Sequence, residues 1–230
     1  MEEKAALRCL GLIGGLGVGA TVHYYQALAK AHEARGYVLN LVMVHADMQR
    51  VLRGAGAGET ARLAGYLAGL IRRMASAGAE FAAIPAVTPH ICIAELVMLS
   101  PIRIVNLIDA IGREVLARSF HRVSIFGTRF AIEKKLFGQM PQAEIVLPSP
   151  DEINVIHETY LEMAKAGRGT KEQYERLRGV AFRLIERERL DAILLAGTDL
   201  SLVFNESNTD FPHVDGARVH IEGIMRELLG

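Results

Sequence analysis

The chain has 230 residues, 50% of them hydrophobic and only 6% aromatic, with 26 basic side chains balanced by 26 acidic ones. Zero net charge excludes a field that would gather nucleic acid or an anionic membrane surface. Apolar stretches are broken by charge, as at Arg72-Arg73, and fall short of the roughly 20 residues a spanning helix needs.

The length suffices for one large domain or two small ones around a core of Ala, Val, Ile and Leu. Met1-Glu2-Glu3-Lys4 does not look like a secretion signal, and two cysteines, Cys9 and Cys92, make no disulfide framework. A soluble cytoplasmic protein is the expectation.

In chain order, Leu10 to Ile13 reads as a first strand, Ala20 to Ala34 as an amphipathic helix and Leu39 to Val44 as a second strand. Glu59 to Ser76 reads as a long helix stopped by Ala-Gly-Ala. Arg53 to Glu59, with three glycines, is expected to be a mobile flap. Phe81 to Val87 lacks alternation and so predicts a strand buried on both faces, followed by a helix through Glu95. The theme then restarts: strand Val123 to Phe126, helix Ala131 to Phe137, strand Glu144 to Leu147, helices Asp151 to Lys165 and Lys171 to Glu188, and strand Ala192 to Ala196. A strand near His213-Val214 and a helix to Leu229 close the chain.

Strands alternating with helices predict an α/β fold of two similar Rossmann-like domains, each a mainly parallel sheet with helices on both faces. The glycines at Gly14-Gly15 match Gly127-Thr128, and the segment around Thr88 matches that around Thr198. Parallel strands deliver such loops to their carboxyl ends, so all four can line one cleft between the domains.

Gly14-Gly15-Leu16-Gly17-Val18-Gly19-Ala20-Thr21 is a turn that lets backbone N–H groups approach an anion at a helix start. It reads as a carboxylate site, as a bare turn, or loosely as a dinucleotide fingerprint, though His45 stands where the last needs an acid, with Asp47 just beyond. Ile84-Pro85-Ala86-Val87-Thr88-Pro89-His90 and Leu195-Ala196-Gly197-Thr198-Asp199-Leu200 each break from an apolar run into small and polar residues, as buried strands do at a pocket. Metal binding is not expected, because His23, His32, His121 and His157 are scattered without ligand spacing. Tyr24-Tyr25 reads as packing and Arg176 to Arg189 as a solvated helix face.

These two segments closely resemble the active-site signatures of the aspartate/glutamate racemase family, where each carries a catalytic cysteine; here Ala86 and Gly197 hold those positions. The glycine-rich opening, Gly78-Ala79-Glu80-Phe81, Lys165-Ala166-Gly167, and Asp215 with His220 extend the resemblance over nearly the whole chain. It implies two Rossmann-like domains, 1–105 with 207–230 and 106–206, the C-terminal helix returning to the first. It also implies a homodimer, no cofactor, and a small carboxylate or amino-acid ligand, with neither nucleic acid nor membrane as partner. By the same resemblance Gly15, Thr21, Val87, Thr88, Thr128, Lys165 and Thr198 are candidate ligand-binding residues. Val87 replaces a family asparagine, and Met48 stands where some members place an arginine for a distal carboxylate; Arg50 or Arg129 is a candidate to serve in its stead.

Racemisation with two thiols needs two groups that cycle between acid and base. Ala86 and Gly197 can do neither. His90 and Asp199 are the candidate catalytic replacements, each with helix capping as its alternative; His45 reads as a loop residue, and Cys9 and Cys92 as small buried hydrophobes. Loss of both thiols also predicts a larger pocket. A single acid or base suffices for isomerisation, decarboxylation or elimination next to a carboxylate. The alternative is a non-catalytic carboxylate-binding protein on the same scaffold.

Overall fold

The computed structural model describes residues 8–133 and 143–229. Strand β1 (Leu10–Gly14) leads into helix α1 (Val18–Glu33), then β2 (Leu41–His45), α2 (Met48–Gly56), α3 (Thr60–Ser76) and β3 (Phe81–Ala83). A 3-10 turn, Thr88–Cys92, runs into α4 (Ile93–Leu99), followed by β4 (Arg103–Val105) and α5 (Leu107–Ala117). The second series is β5 (Arg122–Phe126), α6 (Arg129–Glu133), β6 (Glu144–Ile145), α7 (Pro150–Ala166), α8 (Lys171–Glu188) and β7 (Ala192–Leu195). A 3-10 turn at Thr198–Leu202, β8 (His213–Asp215) and α9 (Gly216–Leu229) complete it.

The strands form two four-stranded parallel sheets, ordered β2-β1-β3-β4 and β6-β5-β7-β8. The expected pair of α/β units is therefore present, and the repeat is element by element: β1 answers β5 and β3 answers β7. In the first sheet, alternation sorts side chains to two cores. Leu10, Leu12, Phe81 and Ala83 face Tyr24 and Leu28 of α1 and Ile224 and Leu228 of α9. Ile13, Ala82 and Ile84 face Leu67, Ile71 and Met74 of α3. The second sheet buries Val123, Ile125, Ile193 and Val214 with Ile156 of α7 and Leu184 of α8.

Three expectations change. The stretch read as a flap is largely helix: α2 ends at Gly56, because Asp47 caps it by accepting from the Arg50 N–H at 3.1 Å and because Val51 and Ala55 are buried. Strand β4 and helix α5 have no counterpart in the sequence reading; three residues after Pro101 are too short a run to show a period. Strand β8 pairs with β7, Leu194 opposite Val214, so residues 213–215 lie in the second sheet although 207–230 were expected with the first unit. Helix α9 packs into the first sheet's core through Ile221, Ile224 and Leu228. Of the expected helix Ala131 to Phe137, residues 134–137 lie outside the described part.

Candidate functional site

The carboxyl ends of β1, β3, β5 and β7 meet at a cavity of about 360 Å³. Gly15, Leu16, Gly17 and Val18 follow β1; Ala86, Val87, Thr88 and Pro89 follow β3; Thr128 follows β5; Gly197 and Asp199 follow β7. Helix α6 adds Ala131, and two helices add one face each: Met48, Val51 and Leu52 from α2, and Tyr160, Leu161, Ala164 and Lys165 from α7. Their spacing of three and four residues places each set on a single stripe.

Of the residues expected to bind ligand, Gly15, Val87, Thr88, Thr128 and Lys165 line this cavity. Thr21 and Thr198 do not. The Thr21 hydroxyl donates to the Gly17 carbonyl at 2.7 Å and accepts the Gly15 N–H at 3.2 Å, which ties the glycine turn to itself. The buried Thr198 hydroxyl donates to the Pro85 carbonyl at 3.1 Å and so joins the two units. Ala86 and Gly197, the positions where the resemblance places catalytic cysteines, both line the cavity, one supplied by each sheet.

Gly197 brings no extra room. A Cβ built there would lie 2.3 Å from Cε2 of Tyr160 and 3.1 Å from the Gly127 Cα. The Tyr160 ring fills the space of the missing side chain, so the expected enlargement fails at this position. Its hydroxyl donates to Asp199 Oδ2 at 3.0 Å. The other oxygen, Oδ1, accepts the Ala20 N–H at 2.9 Å across the boundary between the units.

That second bond explains the glycine turn. Gly17, the residue before α1, offers no side-chain cap, and it sits at φ 135°, where other residues are strained. Asp199 caps the helix from the opposite unit, and Cβ atoms at Gly17 and Gly19 would lie 2.8 and 2.9 Å from its oxygens. The anion at this helix start is the chain's own carboxylate. Asp199 is almost fully buried. Desolvation raises its pKa above the ordinary carboxylate value, outweighing the hydrogen bonds from Tyr160 and Ala20, which lower it. Burial, reinforced by Asp199, pushes the Tyr160 phenol well above its usual range.

His90 is also buried, with both ring nitrogens committed to the backbone. Nδ1–H donates to the Ala86 carbonyl at 2.8 Å, and Nε2 accepts the Leu107 N–H at 3.2 Å. Burial lowers its pKa to about 4. The ring thus fixes the loop that carries Ala86 and does not face the cavity; the capping alternative describes it better than the catalytic one. The thiols are equally remote: burial pushes Cys92 up to about 12, and its S–H donates to the Pro89 carbonyl at 3.2 Å. Burial raises Cys9 too. Arg50 lies 4.1 Å over the Tyr66 ring and Arg129 pairs with Glu133 at 3.0 Å, so neither serves the cavity.

The sequence reading missed Tyr160. Its signal was available: it precedes Ala164 and Lys165 on one helix stripe, and Gly197 needed a neighbour to fill its place. Among the described residues no group of three or more His, Cys, Asp or Glu could hold a metal ion, and no helix is long and apolar enough to cross a membrane.

The family model of the Asp/Glu/Hydantoin racemases matches residues 13–224, nearly the whole chain. The chain belongs to this racemase family. Solved structures carry the same fold. An aspartate racemase homologue from Pyrococcus horikoshii superposes with a TM-score of 0.81 at 20% identity, covering 97% of this chain and 100% of that one. The aspartate racemase of Picrophilus torridus gives 0.72 at 20%, covering 96% and 94%. Unliganded arylmalonate decarboxylase gives 0.54 at 13%, covering 97% and 93%. At these identities the likeness speaks for the racemase fold, and the chemistry of this member must be read from its own cavity.

Proposed function

We propose that this racemase-family protein is an enzyme that moves a proton on one face only of a carbon next to a carboxylate, without a cofactor. The observation that carries this is the pair at the position where the resemblance places the second thiol. Tyr160 fills the space beside Gly197 and is hydrogen-bonded to a buried Asp199 of raised pKa, while Ala86 offers no titratable group. When Asp199 holds a proton it donates to the phenol oxygen, and Tyr160 then turns its own hydrogen toward the cavity. As a carboxylate, Asp199 takes the Tyr160 hydrogen while the phenol oxygen takes the α-proton, and the reverse transfer returns a hydrogen to the same face of the α-carbon. Proton exchange on both faces has no second group to carry it. Isomerisation and elimination fit; two-base racemisation does not.

A panel of D- and L-amino acids and simple carboxylates in deuterium oxide tests the reading by NMR. Deuterium is expected at the α-carbon of at least one member, with a loss of about 100-fold or more in Asp199→Asn and Tyr160→Phe. Exchange indifferent to both substitutions would sink the assigned pair. The second reading, a non-catalytic carboxylate-binding protein, is favoured by one observation: both Asp199 oxygens are already bonded, to Ala20 and Tyr160. Ligand-induced thermal stabilisation with no exchange anywhere in the panel would make that reading the function. Cofactor independence, a homodimer and a cytoplasmic location belong to the same proposal. Activity after exhaustive dialysis, sedimentation and cell fractionation test them in turn.

A further inference from the structure

Apart from Thr88 and Lys165, the cavity's polar side chains are spent before any ligand arrives. Asp199 and Tyr160 bond each other, and Asp199 also bonds Ala20. The Thr128 hydroxyl accepts the Ala131 N–H at 3.2 Å, and the Gly15 N–H is taken by Thr21. Among the described residues, Lys165 is the one cationic residue of the lining, and no described residue pairs with it. The helix start that could have received a second carboxylate is occupied by Asp199, and Met48, Val51 and Leu52 present hydrocarbon along the α2 wall.

The rim gives an independent sign. Val18, Leu52 and Leu161 come from three different helices, all line the cavity, and they are 62%, 45% and 46% exposed. Large apolar side chains converging on one opening favour an apolar group that covers them and takes them out of water.

Resting on the reading of this cleft as a carboxylate site, we propose that its ligand carries a single carboxylate, anchored by Lys165, and an apolar substituent lodged against Leu52 and Leu161. One lysine neutralises one carboxylate. A second carboxylate would meet hydrocarbon on α2 or the already seated Asp199, and burying it there without a partner is unfavourable. A methyl end would be welcome where a carboxylate end is not.

Calorimetric titration with hexanoate, phenylacetate, glutarate, L-aspartate and hexan-1-ol decides it. Hexanoate and phenylacetate are expected to bind at least about 10-fold more tightly than glutarate, aspartate and the alcohol. Lys165→Met should weaken hexanoate by about 10-fold or more, and Leu161→Asp should do likewise. Leu52→Asp serves if circular dichroism shows Leu161→Asp unfolded. Glutarate or aspartate binding as tightly as hexanoate would overturn the proposal, as would hexanoate affinity unchanged in Lys165→Met, or no binding of either apolar acid. If Leu161→Asp instead splits a dimer and leaves hexanoate affinity intact, the rim belongs to a second copy of the chain and the proposal falls. The two readings fail separately: selective hexanoate binding with no α-exchange removes the catalytic reading alone, and α-exchange of aspartate with weak hexanoate binding removes this one alone.

Discussion

Residue 197 sits where a side chain and a ring compete for one volume. The Tyr160 ring holds it, buried and fixed at its hydroxyl by Asp199, so it cannot swing away as a flexible surface chain would. A methyl group at Gly197 would approach the ring to 2.3 Å and the Gly127 Cα to 3.1 Å. Gly197→Ala is therefore expected to destabilise the fold by about 1–3 kcal/mol, as overpacked cores do, measured as a lowered urea midpoint. Combined with Tyr160→Ala, which vacates the space, the loss should be smaller than the sum of the two single losses. Additive losses would show that Tyr160 is not what excludes a side chain there.

At the scale of elements, the passage from β4 to α5 is held by two histidines that no sequence period marks. His90 accepts the Leu107 N–H at 3.2 Å, and His220 of α9 donates from Nε2 to the Val105 carbonyl at 2.8 Å while its Nδ1 accepts from the Tyr24 hydroxyl at 3.0 Å. Between them Asn106 caps α5 by accepting the Ile108 N–H at 2.9 Å. Burial lowers the two imidazoles to about 4 and about 3, against an unfolded value of 6.5. The unfolded chain therefore binds protons first as the pH falls, and stability that is full above the unfolded value is lost below it. Near pH 5 the cost is roughly 2 kcal/mol per histidine. Urea unfolding at about pH 7.5 and about pH 5 should show the drop, reduced in His220→Asn; equal stabilities at the two pH values would contradict it.

Across the whole molecule, the two units are braced where the site forms. Thr198 bonds Pro85, and Asp199 caps α1 of the other unit, so the loop after β7 carries both the cavity wall and the joint. Asp199→Ala strands the buried Ala20 N–H, a cost of about 1–3 kcal/mol, and the Ala20 amide should exchange with solvent roughly 5- to 100-fold faster. Unchanged protection at Ala20 would deny the brace. The raised pKa of Asp199 sets the sign of a second effect. As pH rises from 3.8 through the raised value, the unfolded chain releases its proton first, and the carboxylate's contribution to stability declines. Asp199→Asn lacks that slope, so its stability relative to the native chain should climb over this window and level off above it.

The sequence by itself determined the two α/β units, the strand-end loops that build the cavity, and the absence of a titratable group at positions 86 and 197. Period and spacing carry such information, because β-strands buried on both faces and glycine turns are local choices of residue type. It also named Asp199, Thr88, Thr128 and Lys165 among the candidates, though with Thr21, Thr198 and His90 it mixed residues that face the cavity with residues that hold its frame. Only tertiary structure separated them, because a hydroxyl or imidazole looks the same in a sequence whether its partner is a ligand or a distant carbonyl. The partnership of Tyr160 with Gly197 joins residues 37 positions apart, and that of Asp199 with Ala20 joins residues 179 apart. Contacts of that reach follow from how two sheets are set against each other, which no local pattern records.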